Sequence, residues 1–494
     1  MDFRRVPPTA FNAGEAVKQY LKVFKLRQYQ EDAVTGLRDA FKQGRRAPLL
    51  VAPTGAGKTM IFSHITQGAA AKGNRVLILV HRAELLQQTH DALNLLGVKH
   101  GLIAANRTPD PTQMVQLASV QTLVRRMDRI QPPDLIVLDE AHHCAAGSWK
   151  KIITRFRTAR LIGVTATPER LDGKGLSDVF DALVLGPEVK TLISDGFLAP
   201  PVYYAPSVLD LTGIGKRMGD FSASDLEKIT NKPSITGCAV DHYGRLASGL
   251  PAVVFCASIR HAEEVAAQFC NAGYRFEVID GTLAPEVRKQ RVKDLASGKI
   301  QGLTSCDIIS EGFDLPVVTV AILLRATQSL GLHLQQVGRV LRTHPDKSQA
   351  IILDHVGNCM RHGLAEEPRE WSLEGAKARK AKEKSDPSLR NKQCPACYAV
   401  HPVGPSCPQC GHVYVVKTRG IERREGELVM IHSEMYGRQS KSEREELERA
   451  LSKEKRAEQG KAQDLKSLID LAKLRGYRNP YAWAGHILKS RGKL

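Results

Sequence analysis

The sequence predicts two α/β domains in tandem, each a parallel sheet wrapped by helices, then a small four-cysteine module and a basic helical C-terminal region. Three observations lead there. Apolar runs of strand length alternate with helix-length segments from about residue 26, and the pattern restarts near residue 246. Four of the ten cysteines stand as two CxxC pairs near the C-terminus. Beyond residue 371 the chain carries 26 Lys and Arg against 15 Asp and Glu, so over half of the formal net charge of +19 sits in its last quarter.

A chain of 494 residues exceeds what one core usually supports. The expected order is an N-terminal extension (1–25), a first α/β domain (26–190), a linker or insertion (191–245), a second α/β domain (246–370), a basic linker (371–392), the cysteine module (393–415) and the C-terminal region (416–494). In "QYQEDAVTGLRDAFKQG" the residues Ala33, Val34, Leu37, Ala40 and Phe41 share one helical face. "PLLVA", "RVLILV", "LIVLD" and "LIGVTA" are continuous apolar runs, as strands covered on both faces require. "PAVVFC", "RFEVID", "QGLTSC", "VVTVAILL" and "QAIILDH" repeat the theme, with "SIRHAEEVAAQFCNAG" and "PEVRKQRVKDLASG" as helices between them.

The positive charge attracts polyanions, above all nucleic acid, with anionic membrane as the competing partner. No apolar run is long enough to cross a membrane, and "MDFRRVPPTA" lacks a signal-peptide core, which predicts a cytoplasmic protein. The six cysteines outside the CxxC pairs read as buried thiols.

"APTGAGKT" (52–59) fits the phosphate-loop pattern loosely, since Ala52 stands where the first Gly is usual. Pro53, Thr54, Gly55, Ala56 and Gly57 would let backbone N–H groups and a helix N-terminus surround a phosphate, with Lys58 on the β/γ-phosphates and the Thr59 hydroxyl on Mg²⁺. About 80 residues on, "LIVLDEAHHC" ends a strand with two adjacent carboxylates. Asp139 suits the metal and Glu140 the attacking water, and a cation between phosphates and acids offsets their repulsion. Read without the phosphate loop, "DEAH" has an acid-rich helix start as its lesser alternative.

Taken in order, these stretches resemble the superfamily 2 helicases and translocases, over residues 26 to about 355. "LRQYQ" (26–30) resembles their adenine-reading segment, implying base contacts from Arg27 and Gln30. "APTGAGKT" is similar to motif I, "LVHRAEL" to motif Ia, "ASVQTL" to the neighbouring strand-contact motif, "DEAH" to motif II and "VTATP" (164–168) to motif III. "VVFCASIRHAEEV", "SCDIISEGFDLP" and "QQVGRVLR" (335–342) are similar to motifs IV, V and VI. The resemblance implies two RecA-like domains with ATP between them. The first domain offers no motif arginine for the γ-phosphate, so Arg339 and Arg342, one turn apart on an expected helix of the second, would supply it on closure. It also implies Gln335 at the nucleotide or the acid motif, Gly312 and Asp314 near ribose and phosphates, and His142, Thr165 and Thr167 as coupling groups. His81, Arg82, Ser119, Gln121 and Thr122 would contact a sugar-phosphate backbone, whereas Cys306 stands where many relatives carry Thr. At 5% aromatic content, base stacking is a minor expected contribution.

Cys394, Cys397, Cys407 and Cys410 form C-x2-C-x9-C-x2-C, which suits tetrahedral Zn²⁺ in an element with little core, with redox dithiols as the alternative. "EGAKARKAKEKSDPSLRNK" reads equally as solvated helix or nucleic-acid contact. Tyr477, Tyr481 and Trp483 among Arg475, Arg478, Lys489 and Arg491 suit either nucleic acid or a small core. The combination of DEAH core, cysteine module and basic C-terminus is similar to the RadD-like bacterial and phage helicases of DNA repair. That likeness implies DNA, branched or gapped, as substrate and a single-strand-binding protein as partner. An RNA-dependent ATPase and a non-catalytic nucleic-acid-binding scaffold are the competing functions.

Overall fold

In the computed structural model, residues 25–494 are described except 106, 108, 171–172, 206–215, 218–219, 223–225, 227–232, 307–308, 310–314, 376–390, 398, 415–459, 461, 463, 475–479 and 492–494. The first sheet begins after helix α1 (Gln28–Lys42), whose buried face of Gln30, Ala33, Val34, Leu37 and Ala40 is nearly the one the periodicity predicts. Its strands are β1 (Pro48–Val51), β2 (Val76–Val80), β3 (His100–Ile103), β4 (Val115–Ser119), β5 (Leu135–Asp139), β6 (Arg160–Thr165) and β7 (Ala182–Leu185). They lie in the order β3-β4-β2-β5-β6-β1-β7, and every pairing is parallel. Helices α2 (Lys58–Ala70), α3 (Ala83–Leu95) and α4 (Gly147–Arg155) provide crossovers. Because the strands are parallel, the loops after β1, β2, β4, β5 and β6 open along one edge, where α/β sheets hold ligands.

The second sheet orders its strands β10-β11-β9-β12-β13-β8: β8 (Pro201–Tyr204), β9 (Ala252–Phe255), β10 (Phe276–Ile279), β11 (Gly302–Ser305), β12 (Val320–Leu323) and β13 (Ala350–Asp354). Helices α5 (Pro233–Leu246), α6 (Ile259–Asn271), α7 (Pro285–Ala296) and α8 (Leu330–Val340) join them. The stretch expected to be a linker or insertion therefore supplies β8 and α5 to the second domain. β8 escapes sequence reading because it is four residues long and opens with Pro201, a residue allowed at the start of an edge strand where no ladder N–H is needed.

Residues 371–375, expected to begin a linker, return to the first domain. Leu373 O accepts hydrogen bonds from Leu176 N (2.7 Å) and Ser177 N (3.1 Å), Lys174 bridges Gly375, and Trp371 and Leu373 pack on the core around Leu176 and Phe180. The chain then reaches the hairpin β14 (Asn391–Gln393) and β15 (Val400–Pro402), which carries the cysteine module; Ala399 bridges Tyr204 at the end of β8.

Residues 416–494 form a separate unit. Its described part is a helical pair, α9 (Leu465–Leu474) and α10 (Pro480–Ser490), around Leu468, Ala484 and Leu488, with Trp483 packed against them. Trp483 thus serves a small core, while Tyr481 is 66% exposed. Tyr477, Arg475 and Arg478 lie outside the described residues. Of the six scattered cysteines, Cys144, Cys256 and Cys359 are buried as expected, Cys270 is exposed and Cys306 half-buried, and the side chain of Cys238 lies outside the described residues.

Candidate nucleotide site and nucleic-acid rim

The turn between β1 and α2 needs backbone that only glycine adopts cheaply: Gly55 has φ +90° and Gly57 φ +74°. Both are also crowded, since a Cβ at Gly57 would lie 2.5 Å from Gln30 Nε2 and one at Gly55 2.7 Å from Leu198 Cδ2. Gln30 Oε1 accepts from Arg27 N (3.0 Å), and its Nε2 donates to Ala56 O (3.2 Å), fastening the start of α1 to the loop. α2 begins at Lys58 with no side-chain cap, as a helix start that receives an anion would require. Lys58 Nζ folds back onto Ala52 O (3.2 Å) and Pro53 O (3.3 Å). Burial pushes its pKa down, opposed by the charges of Glu140 and Asp139 and aided by those of Arg339 and Arg342.

Asp139 ends β5, two strands from β1 with β6 between them. Asp139 and Glu140 are 3% and 7% exposed, and Asp139 Oδ1 accepts from Glu140 N (3.0 Å). Burial, reinforced by the charge of Glu140, raises the Asp139 pKa to about 7, while Lys58 opposes the rise. Among the described residues Glu140 is the only non-glycine with positive φ, at 49°, which aims its side chain out of the strand line. Glu140 Oε2 is buried and accepts no hydrogen bond. A buried acid pair with one orphaned oxygen and one raised pKa is a donor set that fits a divalent cation.

His142 Nδ1 stands 3.1 Å from Thr165 Oγ1 and 3.5 Å from Glu140 Oε2. Thr165 Oγ1 donates to Thr167 O (2.8 Å) and accepts from Thr167 N (3.2 Å). Thr167 in turn abuts the second domain, where a Cβ at Gly331 of α8 would lie 2.8 Å from Thr167 Oγ1. Polar contacts therefore lead from Glu140 as far as Thr167, whose side chain packs against Gly331 of α8.

That helix closes the cleft. Ser329 Oγ caps it by accepting from Leu332 N (3.2 Å), and its far end packs so tightly that a Cβ at Gly338 would lie 2.5 Å from Thr54 Cβ. Arg339 is on the last turn, but Arg342 is not one turn further along the helix. α8 stops at Val340, and Arg342 bridges Leu198 instead. Lys58, Thr59, Asp139 and Glu140 from the first domain and Arg339 and Arg342 from the second line a single cavity of about 580 Å³. Gln335 is buried on α8. Arg27 is exposed and outside this lining, its Cζ 4.2 Å from the centre of the Phe197 ring. Gly312 and Asp314 lie outside the described residues.

The five backbone-contact candidates meet at the C-terminal ends of the paired strands β2 and β4. Gln121 Nε2 donates to His81 O (3.0 Å), Ser119 Oγ to Gln121 Oε1 (2.8 Å) and Arg82 Nε to His81 Nε2 (3.3 Å), with Thr122 half-buried beside them. Sequence reading missed His143, whose ring stands 4.2 Å from His142 and 4.4 Å from His81 and so joins the acid motif to this rim. It also missed Phe197 and Leu198, because "DGFLAPP" carries no motif. Across the cleft, Arg288 Nη2 of α7 meets Glu84 Oε1 of α3 at 3.2 Å.

The chain matches the family described as type III restriction enzyme, res subunit, over residues 23–170, and the helicase conserved C-terminal domain over 238–344. It is 34% identical over 390 residues to the 51.5 kDa protein of a Lactococcus phage (isolate 7-9), covering 78% of this chain and 82% of that one. The chain belongs to the superfamily 2 helicases. This helicase is also 28% identical to the Saccharomyces cerevisiae protein named "Putative ATP-dependent helicase IRC3", covering 69% of this chain and 54% of the yeast protein. A solved fragment of a "putative HsdR subunit of a type I restriction enzyme" from Vibrio vulnificus YJ016 shares the fold, with a TM-score of 0.56, 22% identity and coverage of 71% of this chain and 70% of that one. As a member of the family the protein hydrolyses ATP and binds nucleic acid. Among the described residues no helix is long and apolar enough to cross a membrane.

In the cysteine module the sulfurs of Cys394, Cys397, Cys407 and Cys410 all lie within 4.8 Å of one another. The sulfur–sulfur approaches of Cys394 to Cys410 (3.6 Å) and Cys397 to Cys407 (3.7 Å) run between the CxxC pairs rather than within them. That arrangement fits four ligands around one ion better than a pair of redox dithiols.

Proposed function

We propose that this helicase is a DNA translocase or helicase that couples ATP hydrolysis in the inter-domain cleft to movement on DNA, in repair, recombination or replication. The observation that carries the reading is the common cavity of Lys58, Asp139, Glu140, Arg339 and Arg342, drawn from both domains. Lys58 holds the β/γ-phosphates, Glu140 orients and deprotonates water, and the two arginines neutralise charge on the γ-phosphate. Thr59 and Asp139 would hold Mg²⁺, which supplies positive charge to the phosphates. Gln30 and Arg27 read the base and Gln335 faces the nucleotide. His142, Thr165 and Thr167 couple the cleft to α8, and His81, Arg82, Ser119, Gln121 and Thr122 grip the sugar-phosphate backbone.

DNA rather than RNA is favoured by the succession of DEAH core, four-cysteine module and basic C-terminal region, which is similar to the RadD-like repair helicases. A branched or gapped substrate, a single-strand-binding protein as partner and a cytoplasmic site in a bacterial or phage-infected cell go with that reading. ATP turnover measured with single-stranded DNA, forked DNA and RNA tests it. Stimulation by DNA is expected, and stimulation by RNA alone would replace it with an RNA-dependent ATPase.

The cysteine module is a structural Zn²⁺ site in this reading, the ion standing in for a hydrophobic core that the hairpin lacks. Metal analysis of the purified chain should return about one zinc per molecule, and none after Cys394→Ser with Cys407→Ser. A folded, metal-free module would overturn it.

A further inference from the structure

The four-cysteine hairpin is seated on the second α/β domain. Ala399 bridges Tyr204 at the end of β8, Tyr204 packs on the cluster of Cys394, Ala399 and Cys407, and Asn391 Nδ2 donates to Glu367 Oε1 (2.6 Å). The seam between hairpin and domain leaves a cavity of about 400 Å³. It is lined by Tyr204, by Leu353 and His355 at and just past the end of β13, by His242, Arg245 and Leu246 from the last turns of α5, and by the two CxxC turns. Among the described residues no acidic side chain lines it. Its two imidazoles lie with ring centres 5.2 Å apart and planes tilted by 32°. His355 is 4% exposed and its Nε2 has no hydrogen-bond partner; nor has the buried Nδ1 of His242. Burial pushes the His355 pKa down to about 3, so that ring is neutral. Arg245 is exposed, and the cavity gives its guanidinium no carboxylate to pair with. Buried polar atoms are nearly always paired in a folded chain, so two orphaned nitrogens in one cavity mark a place where a ligand completes the bonding.

We propose that this seam holds one nucleotide of a bound nucleic-acid strand, with the base edge on the His355 and His242 nitrogens and the phosphate on Arg245. The assignment rests on the reading of the protein as a nucleic-acid motor. A neutral imidazole nitrogen donates or accepts according to its tautomer, which suits a base edge that carries both kinds of group. Leu246 and Leu353 offer apolar surface to the base, and a guanidinium meets phosphoryl oxygens as a planar fork. The volume is at the low end for ligand cavities, enough for a nucleotide and too small for a duplex. Tyr204 and His355 emerge at the carboxyl ends of the parallel strands β8 and β13, on the same edge of the sheet as the ends of β9 and β11, and parallel α/β sheets hold ligands along that edge. The cysteine hairpin then has a task beyond its own fold, since its CxxC turns close one side of a strand-binding seam.

The test measures binding of a fluorescein-labelled oligothymidylate to the full chain, by anisotropy over a range of salt concentrations, with ADP present to fill the ATP cleft. Arg245→Ala should raise Kd about threefold at moderate salt and flatten the slope of log Kd against log salt by about 0.7, the contribution of one phosphate contact on a single strand. His355→Leu keeps the bulk and removes the orphaned nitrogen; Kd should rise about fivefold with the salt slope unchanged and the melting temperature not lowered. Saturating dTMP should raise the Kd of the unaltered protein to the level of His355→Leu and leave that variant's Kd where it was. Should His355→Leu fail to fold, His242→Leu carries the same expectation. Variants that bind the strand as the unaltered protein does, with His355→Leu only melting at a higher temperature, would leave the two nitrogens to water and overturn the site. Binding of dTMP that the variants abolish while strand affinity stays the same would assign the seam to a free nucleotide and overturn the strand contact. An unaltered protein that binds neither oligothymidylate nor oligouridylate would instead sink the motor reading on which the proposal rests.

Discussion

Replacing Glu140 by Gln should lower nucleic-acid-stimulated ATP turnover by about 10²–10⁴-fold, the range over which a positioned general base contributes. The side chain keeps its shape, so the backbone turn at φ 49° and the packing of the motif stay as they are. What is lost is the acceptor at Oε2, which is buried and accepts no hydrogen bond from the protein. Nucleotide binding should survive, because the Lys58 ammonium and the α2 N-terminus are untouched and one negative charge facing the phosphates has gone. Phosphate release and binding of a fluorescent nucleotide, measured side by side, separate the two. Turnover that stays at the level of the unaltered protein would remove Glu140 from the water role.

Arg342→Ala should cost hydrolysis about 10³-fold or more while weakening nucleotide binding far less, since an arginine brought in from a second domain acts mainly on charge that develops in the transition state. Its guanidinium shares the cavity with Lys58 from the opposite wall, and the positive charge contributes to the lowered Lys58 pKa. Arg342→Lys should recover only part of the loss, because an ammonium restores charge without the planar fork that meets two phosphoryl oxygens. Equal losses in binding and hydrolysis for Arg342→Ala would make it a ground-state contact.

The motifs were legible because each demands residue types that little else explains. Two glycines at positive φ, a lysine and a threonine had to surround a turn before a helix, and two adjacent acids at the end of a buried strand needed a reason to be there. The continuous apolar runs marked the central strands for the same reason: both faces are buried. β3, β7 and β8 were not legible, as edge strands of four residues whose half-exposed pattern resembles a loop. The helical spacing of Arg339 and Arg342 suggested one face of one helix, yet the backbone leaves the helix at Leu341 to pair with Leu198, a non-local partner that no local pattern announces.

The clasp at residues 371–375 bears on how the protein can move at all. The two halves are stitched once where the chain first crosses, at 196–199, and again where Leu373 rejoins the first sheet's core. A door hung on two pins turns about the line through both and can neither slide nor come off. With both pins in place, the swing of one α/β domain against the other has its axis along the line through those two stitches.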